Sequence, residues 1–177
     1  MKVYVVRHGQ TDWNLEGKLQ GSTDVILNDN GRNQVSCLSE RLKDIDFGII
    51  ISSPLKRAME TAQIINKEKK LEIVVFDDLK ERSFGSFEGK VYPDISAFWD
   101  YERDYNENGV ESVKTMLNRV FNAMDSIISE YKDKDVLIVA HACVMIGIDC
   151  YFNGFKENHD FSNYCFENGN YYEYNVK

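Results

Sequence analysis

The chain has 177 residues, 43% of them hydrophobic and 28% charged, and this balance is typical of one globular domain. Its formal net charge of −8 argues against a nucleic-acid partner, because general nucleic-acid binders carry a basic face. It leaves an anionic small molecule open as a ligand, since a few arginines in a cleft can set the local potential. No apolar run approaches the roughly 20 residues that cross a bilayer, so no membrane partner is expected.

In chain order, five apolar runs predict five strands. The first and the fourth are nearly continuous apolar stretches, as expected for strands covered on both faces, whereas the last alternates less cleanly and fits an edge. The predicted strands are Val3–Val6, Ile49–Ile51, Ile73–Phe76, Val136–Ala140 and Tyr171–Val176.

Helical patterns separate these strands. One helix is predicted from Gly31 to about Lys43, after the capping residue Asn28, and the next from Ser53-Pro54, a cap followed by proline at the first helical position. Apolar residues at helical spacing predict a third helix over Val113–Tyr131, and a last one starts near Ala142. Strands alternating with helices predict a three-layer α/β/α domain, spanning 1–177, with a mainly parallel central sheet.

Residues 83–110 break this alternation. The segment is too long for a simple connection and is rich in aromatic residues. Two interpretations stay open: a partly helical lid over the strand ends, or an extra helix packed on the core. The aromatic residues are Phe84, Phe87, Tyr92, Phe98, Trp99, Tyr101 and Tyr105.

The four cysteines form no C-x-x-C pair, which favours reduced thiols and a cytoplasmic protein. They are Cys37, Cys143, Cys150 and Cys165. No charged-then-apolar leader precedes the strand-like sequence at Lys2, which agrees with that location. The sequence does not indicate an oligomeric state.

Two of the three histidines end strand-like runs. Arg7 and His8 follow the first predicted strand, and His141 follows the fourth. Ligands of open α/β sheets bind at the carboxyl ends of the strands. This pattern predicts an active site built on two histidines.

Four blocks of the chain, in order and at similar spacing, resemble the motifs of the histidine phosphatase superfamily, which includes the cofactor-dependent phosphoglycerate mutases. They span residues 1 to about 150. The blocks are Arg7-His8-Gly9-Gln10-Thr11-Asp12-Trp13-Asn14, Ser52-Ser53-Pro54-Leu55-Lys56-Arg57-Ala58-Met59-Glu60-Thr61-Ala62, Leu79-Lys80-Glu81-Arg82-Ser83-Phe84-Gly85-Ser86-Phe87-Glu88-Gly89 and Ile138-Val139-Ala140-His141-Ala142. The resemblance implies a phosphoglycerate mutase-like fold and a small phosphorylated metabolite as substrate.

The resemblance also implies catalytic roles. His8 would attack phosphorus and form a phosphohistidine that water later hydrolyses. Arg7 and Arg57 would clamp the phosphate, because guanidinium groups match its oxygens in bidentate fashion. His141 would donate a hydrogen bond to the transferred group. Glu81 would act as general acid and then as base, with Glu88 ranked second for that role.

Further positions match substrate contacts of the family. These are Asn14, which would contribute an amide to the phosphate, Thr11, the pair Gln20-Gly21, and Ala142. Ala142 stands where the family commonly has glycine, and its Cβ would crowd a phosphate unless the local dihedral angles allow it. No metal and no other cofactor is expected, since two arginines beside the histidines would oppose a dication.

Three functions are compatible with these motifs and site residues. The first is a metal-independent phosphatase, the second a cofactor-dependent phosphoglycerate mutase, and the third a catalytically silent phosphate-binding module. The mutases are longer and enclose their ligand more fully, which favours hydrolysis here. Joint retention of the catalytic set argues against the silent module.

Overall fold

The computed structural model describes residues 1–91, 96–102, 107–156 and 159–176. A five-stranded sheet forms the centre of the molecule, in the order β3-β2-β4-β1-β5. The first four strands are mutually parallel, and β5 pairs with β1 in the antiparallel sense. The strands are β1 (Lys2–Arg7), β2 (Ile49–Ser52), β3 (Ile73–Val75), β4 (Val136–Ala140) and β5 (Tyr171–Asn175).

Helices cover both faces of the sheet, which confirms the predicted three-layer α/β/α class. On one face Leu38 and Ala62 belong to the same buried cluster as Val6, and on the other Val120 and Val144 belong to the same buried cluster as Val5. These two clusters place α2 and α3 on the first face and α4 and α5 on the second. The helices are α1 (Asp12–Leu15), α2 (Asp29–Leu42), α3 (Lys56–Lys69), α4 (Val113–Glu130) and α5 (Ala142–Asn153). None of the helices formed by the described residues is both long and apolar enough to cross a membrane.

The start of α3 differs from the sequence prediction. The helix begins at Lys56, with Leu55 as its cap residue, so Ser53 is not the cap and Pro54 is not the first helical residue. The reason is that Ser53 continues the path of β2: its backbone N–H donates to the carbonyl of Val139 at 3.0 Å. The Ser53 hydroxyl is thereby directed to the strand ends instead of to a helix terminus.

The register of β1 and β4 brings the two histidines together. Arg7 lies opposite Ala140, and each strand is followed directly by a histidine. The backbone N–H of His8 still donates to the carbonyl of Ala140, at 3.1 Å. His8 and His141 therefore leave neighbouring strands at the same level of the sheet.

The described parts of the segment 83–110 consist of short 3₁₀ turns and core contacts. Phe84, Phe98 and Trp99 are buried in the same core as α4 and α5. Phe84 pairs with Val110 through an isolated β-bridge. The turns are Gly85–Phe87, Ser96–Trp99 and Glu107–Gly109. Phe84, Phe98 and Trp99 thus pack on the core, but the described parts form short turns and not the extra helix of the second interpretation, and the lid stays a prediction. Tyr92 and Tyr105 lie outside the described residues.

Candidate active site

A cavity of about 180 Å³ opens where β1 and β4 end. Its charged lining groups are three cations and one carboxylate, in a protein whose formal net charge is −8. A local excess of positive charge in a cleft favours an anionic ligand. The lining residues are Arg7, His8, Asn14, Lys18, Leu19, Gln20, Arg57, Glu81, Phe84, Ala142 and Cys143.

His8 presents one nitrogen as a base. Its Nδ1 lies 2.7 Å from the carbonyl oxygen of Gly9, and because a carbonyl can only accept, Nδ1 carries the proton. Burial, followed by the charges of Arg57 and Arg7, holds the pKa of His8 well below 6.5. The ring is therefore neutral near pH 7, and its Nε2 has a free lone pair.

Arg57, on the first turn of α3, orients the His8 ring by a hydrogen bond to that lone pair. Its Nε donates to His8 Nε2 at 3.2 Å. Its two terminal nitrogens donate to the carbonyls of Thr23 and Gly21, each at 2.8 Å. The side chain is fully buried, and this burial lowers the pKa of Arg57 to about 10. The group remains cationic at neutral pH and is held in place before any ligand arrives.

Arg7 is the second guanidinium of the cavity, and it is partly buried. One terminal nitrogen donates to the carbonyl of Phe166 at 2.5 Å, while its Nε is buried and has no hydrogen-bond partner among the described residues. Burial lowers its pKa from the usual value. An unsatisfied buried N–H costs free energy, and an anion in the cavity would remove that cost.

His141 lies beside His8 with 5.1 Å between the ring centroids, but it is fully buried and forms no part of the cavity wall. Its Nε2 is 2.7 Å from the hydroxyl oxygen of Ser53, whereas its buried Nδ1 has no partner in the part of the chain that the structure describes. Burial, and then the charges of Arg57 and its neighbours, holds the pKa of His141 well below 6.5. This ring too is neutral.

Glu81 is held by two backbone N–H groups at the edge of the cavity. Oε1 accepts from the N–H of Arg82 at 2.9 Å, and Oε2 accepts from the N–H of Cys143 at 3.2 Å. The second contact joins the carboxyl group to the N-terminal turn of α5. The side chain is 9% exposed, so it is shielded from bulk water yet lines the cavity.

Glu88, in contrast to Glu81, forms hydrogen bonds that hold a loop in place. It accepts hydrogen bonds from the backbone and hydroxyl groups of Ser22 and Thr23, and from the N–H of Phe84 at 3.0 Å. Burial opposes its charge, but the hydrogen bonds outweigh it and lower its pKa from 4.5. A carboxyl group with a lowered pKa is ionised near neutral pH and has no proton to donate, so the structure does not favour Glu88 as a general acid.

Gly21 belongs to the loop that Glu88 holds. Its φ of +52° lies in the left-handed region, and a Cβ there would approach Glu88 Oε1 to 2.1 Å. Its carbonyl receives Arg57, so glycine allows the loop to turn close to the carboxylate while it positions the guanidinium. Gly21 does not itself line the cavity.

The other predicted binding residues divide in two groups. Asn14, Gln20 and Ala142 line the cavity, and no described residue is a hydrogen-bond partner of the buried Gln20 side-chain oxygen. Thr11 does not line it; its hydroxyl caps α1 by accepting from the N–H of Asn14 at 3.2 Å. Ala142 is the first residue of α5 and has no positive φ, so the backbone there does not require glycine.

Sequence reasoning missed several residues that hold the site. Ser53 was assigned to a helix cap, and Asn168, whose side chain donates to the carbonyl of His8 at 2.8 Å, lies 160 positions from its partner. Arg119, which pairs with Glu111, holds the loop that carries Glu81 through the carbonyls of Asp78 and Lys80. Nothing in the local sequence marks such long-range contacts. Across the described ranges, no group of three or more histidine, cysteine and acidic side chains is arranged to hold a metal ion.

A family model described as histidine phosphatase superfamily (branch 1) matches residues 3–176. The chain belongs to the histidine phosphatase superfamily. Among its relatives, "Uncharacterized phosphatase PhoE" of Bacillus subtilis is 40% identical over 146 residues, 81% of this chain and 72% of that protein. "Phosphoglycerate mutase-like protein 4" of Arabidopsis thaliana is also 40% identical, over 155 residues, 81% of this chain and 67% of that protein.

Solved structures of other superfamily members share the fold. YhfR of Bacillus stearothermophilus superposes with a TM-score of 0.89 at 28% identity, covering 99% of this chain and 91% of that one. Phosphoserine phosphatase of Entamoeba histolytica, in complex with 3-phosphoglyceric acid, superposes with a TM-score of 0.82 at 26% identity, covering 97% and 89%. The predicted phosphoglycerate mutase-like fold is confirmed, and phosphatase activity is the function that the family and these relatives support.

Proposed function

We propose that this histidine phosphatase hydrolyses a small phosphorylated metabolite through a phosphohistidine on His8, without a metal ion. The observation that carries the proposal is the state of His8: a neutral ring whose Nε2 lone pair faces the Arg57 guanidinium. A nucleophilic nitrogen beside buried cations that are fixed before binding is the arrangement that phosphoryl transfer requires.

In the first step, Nε2 of His8 attacks phosphorus in line as the bond to the leaving oxygen breaks. Arg7 and Arg57 stabilise the charge on the equatorial oxygens, and they supply the positive charge that a dication supplies elsewhere. Glu81 in its protonated form gives its proton to the leaving oxygen. The products of this step are an alcohol and phosphohistidine.

In the second step, the Glu81 carboxylate takes a proton from water as the water oxygen attacks the phosphohistidine. The nitrogen–phosphorus bond breaks, inorganic phosphate forms, and His8 regains its lone pair. Splitting the reaction in this way avoids direct attack by water on a phosphate monoester, which is among the slowest uncatalysed reactions. Asn14 and Gln20 line the cavity and would contact the bound substrate.

Replacing His8 by alanine tests the proposal. We expect His8→Ala to lose turnover of an aryl phosphate by several orders of magnitude while its circular dichroism spectrum is unchanged. A chelator should leave the wild-type rate unchanged. Turnover that persists in His8→Ala would rule out His8 as the nucleophile, and turnover that a chelator abolishes would rule out the metal-independent mechanism.

Hydrolysis is preferred over mutase activity because relatives of the chain are named as phosphatases, among them the phosphoserine phosphatase of known structure. Incubation with 3-phosphoglycerate and catalytic 2,3-bisphosphoglycerate distinguishes the two activities. We expect phosphate release to outpace isomerisation, and the reverse result would make the protein a mutase. A panel of phosphorylated metabolites, including phosphoserine, would then identify the substrate. On the pattern of its cysteines, we propose a cytoplasmic location.

A further inference from the structure

Ser53 is a fully buried serine whose hydroxyl contacts the second histidine of the site. The hydroxyl oxygen lies 2.7 Å from His141 Nε2 and 3.4 Å from the backbone nitrogen of Leu55. These are its two hydrogen-bond partners among the described residues. The backbone N–H of Ser53 donates to the carbonyl of Val139, which fixes the position of this residue beside β4.

The proton count decides the direction of the bond to His141. The N–H of Leu55 can only donate, so the Ser53 oxygen accepts there. If His141 Nε2 also donated to Ser53, the buried hydroxyl proton would have no acceptor, at the cost of an unsatisfied polar group. If the hydroxyl donates to Nε2 instead, every proton at Ser53 is used and the Nδ1–H of His141 is the one group of the pair left unpaired among the described residues, whereas the opposite direction would leave both the hydroxyl proton and the Nδ1 lone pair unpaired. A neutral His141 then carries its one proton on Nδ1.

We propose that Ser53 is a positioning residue that sets the tautomer of His141, so that Nδ1–H is available to donate to the transferred phosphoryl group. Nδ1 is the buried ring nitrogen for which residues 1–91, 96–102, 107–156 and 159–176 supply no partner. The ring lies next to His8, where the phosphoryl group would be attached. The opposite tautomer would place a lone pair, not a donor, against an anion. The catalytic consequence rests on the proposed function, but the tautomer itself does not.

The tautomer is measured in the free protein by nitrogen-15 NMR of the histidine rings, assigned by His8→Gln and His141→Gln variants. We expect His141 in the wild type to show a protonated Nδ1 and an unprotonated Nε2. In Ser53→Ala the Nε2–H form should become populated, since free imidazole side chains favour it once the hydroxyl is gone. A wild-type His141 that is protonated on Nε2 overturns the inference, whatever the protein's activity.

A double-mutant cycle measures the functional consequence. We expect Ser53→Ala to lower kcat for an aryl phosphate about ten-fold to a hundred-fold with little change in KM, because a donor acting in the transition state is lost. The same substitution in a His141→Gln background should change kcat less than about two-fold, since an amide donates without help from a hydroxyl. An equal loss in both backgrounds would mean that Ser53 acts only through packing.

Ser52→Ala is the matched control. Ser52 is also fully buried and adjacent in the chain, but its hydroxyl donates to the carbonyl of Ser53 and not to His141. We expect it to lower the unfolding temperature without populating the Nε2–H tautomer of His141. If Ser52→Ala shifted the tautomer as far as Ser53→Ala, the direct hydrogen bond would not be the cause. A wild type without any phosphatase activity would instead overturn the proposed function and leave the NMR result to decide this inference.

Discussion

Glu81 and Glu88 lie seven residues apart in one motif, yet their surroundings separate their roles. Glu81 accepts two backbone hydrogen bonds and faces the cavity, whereas Glu88 accepts bonds from Ser22, Thr23 and Phe84 and holds a loop. The sequence identified both as acidic residues of the motif, and it could rank them only by resemblance. The contacts that distinguish them come from a loop more than 60 positions away.

The two glutamates form a matched pair for a test of acid–base catalysis. We expect Glu81→Gln to lower kcat about 10²- to 10⁴-fold with an alkyl phosphate, because neither leaving-group protonation nor activation of water remains. With an activated aryl phosphate, attack by His8 needs no acid, so phosphohistidine should accumulate. Intact-protein mass spectrometry under alkaline conditions would detect the added phosphoryl group.

The control is Glu88→Gln, which should lower stability and raise KM through the loop that holds Arg57, without accumulating phosphohistidine. Accumulation in Glu88→Gln but not in Glu81→Gln would reverse the two assignments.

At the scale of elements, α4 clamps the loop that carries Glu81. Arg119 donates to both carboxylate oxygens of Glu111, at 2.6 and 2.8 Å, and to the carbonyls of Asp78 and Lys80. Burial opposes the charge of Arg119, but its hydrogen bonds to Glu111 outweigh burial and raise its pKa. The backbone N–H of Glu111 also donates to Ser83 at 2.9 Å. The clamp therefore fixes the chain on both sides of the general acid.

Removing the cation of this clamp should affect stability and catalysis together. We expect Arg119→Ala to lower the free energy of unfolding by about 3 kcal/mol, because the Glu111 carboxylate is left unpaired in a mostly buried position. Urea denaturation measures this change, and kcat should fall because Glu81 is less well held.

Lys114→Ala, an exposed position on the same helix, serves as control and should change the free energy of unfolding by less than about 0.5 kcal/mol. A similar loss for both variants would indicate that α4 is sensitive to any substitution and that the clamp has no special role.

The elements themselves were largely predictable, for physical reasons that differ from place to place. Continuous apolar runs predicted β1 and β4, and the 3.6-residue period predicted α4 within one residue. The predicted start of α3 was wrong. Ser53-Pro54 matches the local pattern of a helix cap, but Ser53 instead bonds to β4 through its backbone N–H. The four-residue α1 is too short to leave a periodic signal. Local patterns therefore predicted the layers, while contacts between distant segments set the details of the site.

For the whole molecule, the two buried histidines make stability depend on pH. His8 and His141 keep their pKa values well below 6.5 in the folded state, whereas in the unfolded chain they titrate near 6.5. As the pH falls below 6.5 the unfolded chain binds protons that the folded protein does not bind. The contribution of the histidines to the free energy of unfolding is therefore largest above pH 6.5. Below that pH each histidine lowers the free energy of unfolding by about 1.4 kcal/mol per pH unit.

This dependence is measured by urea denaturation between pH 7 and pH 5. We expect the stability of the wild type to fall steeply over this range and that of a His8→Gln, His141→Gln double variant to fall much less. Glu88 does not contribute to this difference between pH 7 and pH 5. Its pKa is lowered from 4.5, so its protonation destabilises the folded protein only at a pH below 4.5. Equal slopes for the two proteins would show that the histidines are protonated in the folded state.

The last described stretch of the chain supports the site, although it carries none of the side chains proposed to act on phosphate. Phe166 supplies the acceptor for Arg7, Asn168 supplies the amide that binds the His8 carbonyl, and β5 pairs with β1. A ribosome that has synthesised α5 has already produced every side chain proposed to act on phosphate. The contacts that hold Arg7 and His8 are nevertheless incomplete until about residue 170, so we expect a chain truncated after α5 to bind phosphate more weakly than the full chain although it keeps all of those side chains.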